Sequence, residues 1–124
     1  MEKIIYKEES YKRIGRCMEV HNQLGKGFLE LVYKDALEYE FRQTNIPYER
    51  EKEYIVNYKG TILPHKFYAD FIVFDKIILE VKGISGLTDE HIAQTMNYVK
   101  VSGLHLGLLV NFGQQSLVSK RIIL

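Results

Sequence analysis

Cysteine is nearly missing from this 124-residue chain: Cys17 stands alone. No internal disulfide can form, a tetrahedral thiolate zinc site is excluded, and a reducing, cytoplasmic setting is favoured. Charge of one sign is equally scarce. Seventeen Lys and Arg against 16 Asp and Glu leave a formal net charge of +1, which withholds the nonspecific attraction to phosphate that a very basic domain has. Any affinity for nucleic acid must come from a local patch. No apolar run approaches bilayer-spanning length, and the first nine residues lack the apolar core and small-residue cleavage site of a secretory leader. Secretion and membrane insertion are therefore not expected. Internal repeats, low-complexity tracts and linkers are also absent.

What is present is the composition of an ordinary globule, 46% hydrophobic and 27% charged. Residues 1–124 read as a single domain, long enough to bury roughly two-thirds of its unfolded surface. Ser10 is placed to cap a helix whose apolar positions Ile14, Cys17, Met18, His21 and Leu24 recur at helical spacing. Gly25-Lys26-Gly27 interrupts it. A second helix is expected from Phe28 to about Gln43, with Leu29, Val32, Ala36 and Tyr39 or Phe41 available for packing, and Asn45-Ile46-Pro47 closes it.

From Tyr48 to Tyr58 the pattern changes to alternation, with Glu49, Glu51 and Glu53 on one side of a partly solvated strand that turns at Lys59-Gly60. Two apolar strands follow, around Lys66 to Val73 and Ile77 to Lys82, paired as an antiparallel hairpin across Phe74-Asp75-Lys76. Thr88 is the expected cap of a third helix, with Asp89 and Glu90 near its positive end and Gly103 at its close. Leu104 to Val110 reads as a buried strand, Asn111-Phe112-Gly113 as a turn and Leu117 to Leu124 as the last strand. The order is ααβββαββ, a mixed α/β fold.

Charges inside two of these apolar strands need a reason. Asp70 lies in Phe67-Tyr68-Ala69-Asp70-Phe71-Ile72-Val73, and Glu80 and Lys82 lie in Ile77-Ile78-Leu79-Glu80-Val81-Lys82. An isolated ion in such a place costs several kcal/mol unless it is paired or binds a metal. An E-x-K triplet on an exposed strand is a common ion pair, but three charges on neighbouring apolar strands are rarer. Asp70, Glu80 and the Val81 backbone carbonyl are suitable oxygen ligands for Mg²⁺, or for Mn²⁺, and Lys82 could orient a bound water or stabilise developing negative charge. Side-chain parity sets a condition. With a two-residue loop Asp70 would oppose Val81 and the carboxylates would diverge, so an odd-length loop or a bulge is predicted.

Gly27-Phe28-Leu29-Glu30-Leu31-Val32-Tyr33 matches the G-x-x-E-x-x-Y signature of the GxxExxY proteins, a branch that resembles the PD-(D/E)XK nuclease superfamily. Tyr68-Ala69-Asp70, Leu79 to Lys82, Gln94 with Asn97-Tyr98, and Gly107 to Gly113 resemble that family's later blocks in the same order, so nearly the whole chain is covered. The resemblance implies a restriction-endonuclease-like mixed sheet flanked by helices, with Asp70 and Glu80 holding Mg²⁺ and Lys82 assisting the attacking water for phosphodiester hydrolysis. Ala69 replaces the proline of the superfamily's named motif, which supplies no metal-binding group. By the same resemblance Glu30 corresponds to an additional acid that supports the metal or its water, and Gln94 to a polar residue near the E-x-K strand.

Each of these has a plainer reading. An acid in a helix's first turn is ordinarily explained by the macrodipole, Tyr33 by ring packing in the core, and Gly27 by a tight helix entry. His21, His65, His91 and His105 show no ligand spacing and receive no role. The functional expectation is a metal-dependent nuclease acting on DNA or RNA. Its rival is a catalytically silent module of the same fold that binds nucleic acid or a protein partner. A homodimer gripping a duplex is compatible with a domain of this size, although no residue pattern selects that state.

Overall fold

The computed structural model describes residues 7–124; residues 1–6, at the start of the segment read above for a leader, lie outside the described residues. Two helices come first, α1 (Lys7–Leu24) and α2 (Glu30–Gln43). Ser10 therefore sits inside α1, which begins a turn earlier than its expected cap. Arg13, Cys17 and Val20 are buried along α1 while Met18 is exposed, and α2 buries Tyr33, Leu37 and Phe41 while Leu29 and Tyr39 face out. Of the expected packing positions, Ile14, Cys17, His21, Leu24, Ala36 and Phe41 are buried or packed against the core, whereas Met18, Leu29 and Tyr39 face out and Arg13, Val20, Tyr33 and Leu37 join the buried side. Polar or amphipathic residues can occupy the inner stripe when their apolar stems or rings pack there.

Strands β1 (Tyr48–Tyr54), β4 (Phe67–Val73), β5 (Ile77–Lys82), β6 (Leu106–Asn111) and β7 (Val118–Ile123) form one sheet in the order β1-β4-β5-β6-β7. Only β5 and β6 are parallel. A parallel pair needs a crossover, and α3 (Asp89–Ser102) supplies it. The strand expected over residues 48–58 is divided, because β2 (Asn57–Tyr58) leaves the sheet and pairs with β3 (Thr61–Ile62) as a small ribbon. The core pattern of helices and strands otherwise follows the expected restriction-endonuclease-like order.

Two apolar clusters cover the sheet. Phe71, Val73, Leu79, Val81 and Phe112 pack with Cys17, Tyr33, Leu37 and Phe41 of the first two helices. Ala69, Ile72, Ile78 and Val99 form a second cluster with α3. Ala69 and Ile72 have opposite parity along β4, yet they meet in this one cluster. Strict alternation is therefore broken at Asp70, and Asp70 does not share a simple strand face with both Tyr68 and Ile72. Opposite the break, Glu51 of β1 adopts a left-handed backbone conformation, with φ 56°.

Thr88 precedes α3 as expected, and its N–H donates to His91 Nδ1 at 3.0 Å. His91 thereby acquires a structural role in the helix start. Gly103 closes the helix at φ 75°.

Candidate active site

The β4–β5 hairpin has the odd-length loop that the parity condition asks for. Phe71↔Leu79, Ile72↔Ile78 and Val73↔Ile77 are paired across a three-residue loop, Phe74-Asp75-Lys76. Phe74 and Asp75 both lie at φ 55°. An odd loop carries the same register on to place Asp70 opposite Glu80.

Past Phe71↔Leu79 the two strands exchange side-chain contacts in place of ladder bonds. The Val81 N–H donates to Asp70 Oδ2 at 2.8 Å, and the Asp70 N–H approaches Glu80 Oε1 at 3.4 Å. Within an extended strand the N–H and C=O of one residue point to the same side, so the Val81 carbonyl also faces β4, beyond the end of the ladder. Two carboxylates and one carbonyl are thus gathered at the opening between the strands. Glu80 is only 4% exposed. Burial, reinforced by the Asp70 charge, pushes its carboxyl up to about 9, so it carries a proton near neutrality in the metal-free protein.

Lys82 makes no ion pair among the described residues, although its charge acts on Glu80 and opposes that upward shift. A different lysine holds Asp70. Lys34, on α2, stands 3.0 Å from Asp70 Oδ1 and also bonds Glu51, with its side chain 12% exposed. Against the opposing effect of burial, the hydrogen bonds that Lys34 donates to Glu51 and Asp70 keep its ammonium above its ordinary value. Glu51 reaches this position from its left-handed backbone site, where a non-glycine residue is strained. The sequence reading had placed Glu51 on a solvated strand face and assigned Lys34 no role. Glu30-Lys34 spacing of i,i+4 was the available signal, since it puts both residues on one side of α2.

Glu30 is nearby but differently engaged. Its Oε2 accepts the Gly83 N–H at 3.1 Å, immediately after Lys82. Gln94 is exposed on α3 and makes no side-chain hydrogen bond among the described residues, so it neither orients Lys82 nor fills a buried polar gap in this structure. Tyr98, one turn further along, is the α3 side chain close to the carboxylates. Its ring stacks on Phe67 at 4.4 Å, and burial together with the Glu80 and Asp70 charges raises its phenol.

Asn111 fixes the neighbouring backbone. Its Oδ1 accepts the Ile84 and Gly113 N–H groups at 3.0 and 3.1 Å, while Nδ2 donates to Ile84 O and Gln114 Oε1 at 2.9 and 2.8 Å. The Phe112 N–H also donates to Lys82 O at 2.8 Å. Expected merely as a turn residue, Asn111 instead ends β6 and sets the path of the chain leaving Lys82. Tyr33 does not bond a site carboxylate: its ring stacks on Phe112 at 4.7 Å, and its hydroxyl donates to Gly25 O at 2.7 Å and accepts from the Phe28 N–H at 3.2 Å.

The donor set suits a hard divalent cation. Asp70, Glu80 and the Val81 carbonyl supply oxygen only, which agrees with Mg²⁺, an ion that completes its shell with water. Among the described residues no group of three His, Cys, Asp or Glu side chains stands ready to hold an ion, so Glu30 is not part of the Asp70 and Glu80 cluster.

A family model described as the PD-(D/E)XK nuclease superfamily matches residues 7–122. A solved structure titled "Crystal structure of SSO0001" is similar, with a TM-score of 0.56 and 20% sequence identity, over 95% of this chain and 58% of that one. That likeness concerns the fold. The chain therefore spans little more than half the length of this structural relative. No curated protein matches the chain.

Proposed function

Because the chain belongs to the PD-(D/E)XK nuclease superfamily, we propose that it is a Mg²⁺-dependent (or Mn²⁺-dependent) nuclease hydrolysing phosphodiester bonds of DNA or RNA. The observation that carries this reading is the register that brings Asp70 against Glu80 where the β4–β5 ladder opens. We also place it with the GxxExxY proteins inside the superfamily, on the heptad Gly27 to Tyr33.

Asp70, Glu80 and the Val81 carbonyl are the groups that would hold the ion. When bound, the ion lowers the pKa of a coordinated water and polarises a phosphoryl oxygen. Lys82, whose ammonium has no ion-pair partner among the described residues, orients the attacking water and meets negative charge as it develops on the phosphate. Glu30 supports the site through Gly83, which fixes the backbone beside Lys82. Gln94, whose amide is exposed on α3, would contact the substrate and not Lys82. The reading takes residues 1–124 as one nuclease domain with a cytoplasmic setting. No helix among the described residues is long and apolar enough to cross a membrane.

The test is incubation with labelled single- and double-stranded DNA and RNA in Mg²⁺, Mn²⁺ or chelator, beside Asp70→Asn and Lys82→Ala. Cleavage should require the cation and fall at least about a hundredfold in either variant. Cutting that survives both substitutions would sink the mechanism, and binding without cutting would favour the silent-module alternative.

A further inference from the structure

Five residues before Lys34, an apolar side chain is held out in solvent by an unusual amount of structure. Leu29 is 77% exposed and its neighbour Phe28 is 45% exposed. Single exposed apolar residues need no explanation, but these two are built into position. Gly27, at φ 108°, makes a bend that other residues rarely adopt. Tyr33, fully buried, clasps the same loop at both ends through Gly25 O and the Phe28 N–H. Glu30 then fastens the start of α2 to Gly83. Gly27, Glu30 and Tyr33 therefore share one structural result, which is to fix Phe28 and Leu29 beside the chain segment that follows Lys82.

These side chains line a cleft of about 610 Å³ together with Lys26, Glu30, Gly83, Ile84, Ser85 and Gly113, and the Glu30 carboxylate is tied to the Gly83 N–H. Its volume falls within the roughly 300–1,000 Å³ of small-ligand sites. Part of the lining is held by close backbone packing: a Cβ on Gly113 would stand 2.2 Å from Ile84 O, so only glycine fits there. Asn111 holds both Ile84 and Gly113 in that arrangement.

We propose that this cleft receives the base of an unpaired nucleotide next to the phosphate being cut, an inference that rests on the nuclease reading above. Gly83, which lines the cleft, follows Lys82 directly in the chain, so the cleft adjoins the proposed reaction centre. Its walls select the occupant: Phe28 and Leu29 offer apolar contact to the flat face of a base, while Lys26 supplies positive charge for the adjoining phosphate. A base within a duplex has both faces covered by its stacked neighbours. The substrate class is therefore single-stranded nucleic acid, or an unpaired stretch beside a duplex.

Binding is measured by fluorescence anisotropy in an Asp70→Asn background of the full chain, where cutting is blocked, with single-stranded DNA, single-stranded RNA and duplexes of the same sequence. Adding Leu29→Ala should weaken single-strand binding about fivefold or more while duplex binding changes by less than about twofold. An abasic nucleotide at one position should reproduce that loss, and combining it with Leu29→Ala should add nothing further. An unchanged melting temperature for Leu29→Ala excludes a folding explanation. Unchanged single-strand affinity, or an equal loss on duplex, overturns the cleft assignment while leaving the nuclease reading intact. A dimer that dissociates on Leu29→Ala, seen by sedimentation, also overturns it and assigns the patch to a second copy. If the Asp70→Asn parent binds no nucleic acid at all, the nuclease reading fails and the cleft assignment fails with it.

Discussion

Charge balance in the metal-free site is set by individual side chains. Lys34 neutralises Asp70 from α2 and Glu80 avoids ionising, so the two carboxylates can stand together without a cation between them. Replacing Lys34 with Met should destabilise the fold in chelator by on the order of 1–2 kcal/mol for a partly screened pair, and so lower the melting temperature, yet enlarge the stabilisation that Mn²⁺ provides. Calorimetric melts with and without the ion check both directions. Glu80 gives a pH dependence of definite sign. Its folded value is raised, so the stability linked to its protonation is complete below the ordinary carboxylic value of 4.5 and is lost as pH rises through about 9. Metal-free protein should therefore melt lower at pH 9 than at pH 6. Glu80→Gln, which keeps the shape without the titration, should flatten that part of the profile.

At the scale of elements, the site depends on how strands end. Strands β5 and β6 are parallel and finish side by side at Lys82 and Asn111, where β4 begins and α2 presents Glu30. Asn111 spends its whole amide on the backbone and side chains around this end. Asn111→Ala should cost about 2–4 kcal/mol, from several hydrogen bonds of roughly 1 kcal/mol each, and should loosen the Gly83-Ile84 segment. Urea unfolding gives the first quantity, and faster amide exchange at Ile84 and Gly113 reports the second. The hairpin loop was legible in sequence, because parity made an odd length a requirement for the carboxylates to meet. The buried faces of α1 and α2 were legible only in part, through Ile14, Cys17, His21, Leu24, Ala36 and Phe41. Arg13 and Tyr33 count as polar in a periodicity, but the Arg13 guanidinium packs over the Phe74 ring at 4.9 Å and Tyr33 stacks on Phe112. Apolar stripes alone pointed to the exposed Met18 and Leu29 instead.

Across the whole molecule, a balanced overall charge of +1 leaves recognition to local geometry. Binding of a cation at one site should nonetheless be felt globally, because it is linked to folding. An ion that binds only the folded state stabilises by about 2.7 kcal/mol at a concentration one hundred times its dissociation constant. Saturating Mg²⁺ should accordingly raise the melting temperature of the unaltered protein and leave Asp70→Asn nearly unmoved, as differential scanning fluorimetry would show. Burial pushes the Cys17 thiol up to about 12 and covers its side chain fully, which disfavours the reactive thiolate in the native state.

The sequence by itself determined the order of the main elements, the apolar setting of Asp70, Glu80 and Lys82, and the superfamily, because strand-length apolar runs and ordered motifs are local properties of the chain. Tertiary structure alone decided which cation meets Asp70, what Glu51 and Asn111 do, and that Gln94 stays in solvent. Those outcomes depend on approach between segments distant in sequence: Lys34 and Asp70 lie on different elements, and only packing α2 against the sheet brings their charges within 3.0 Å.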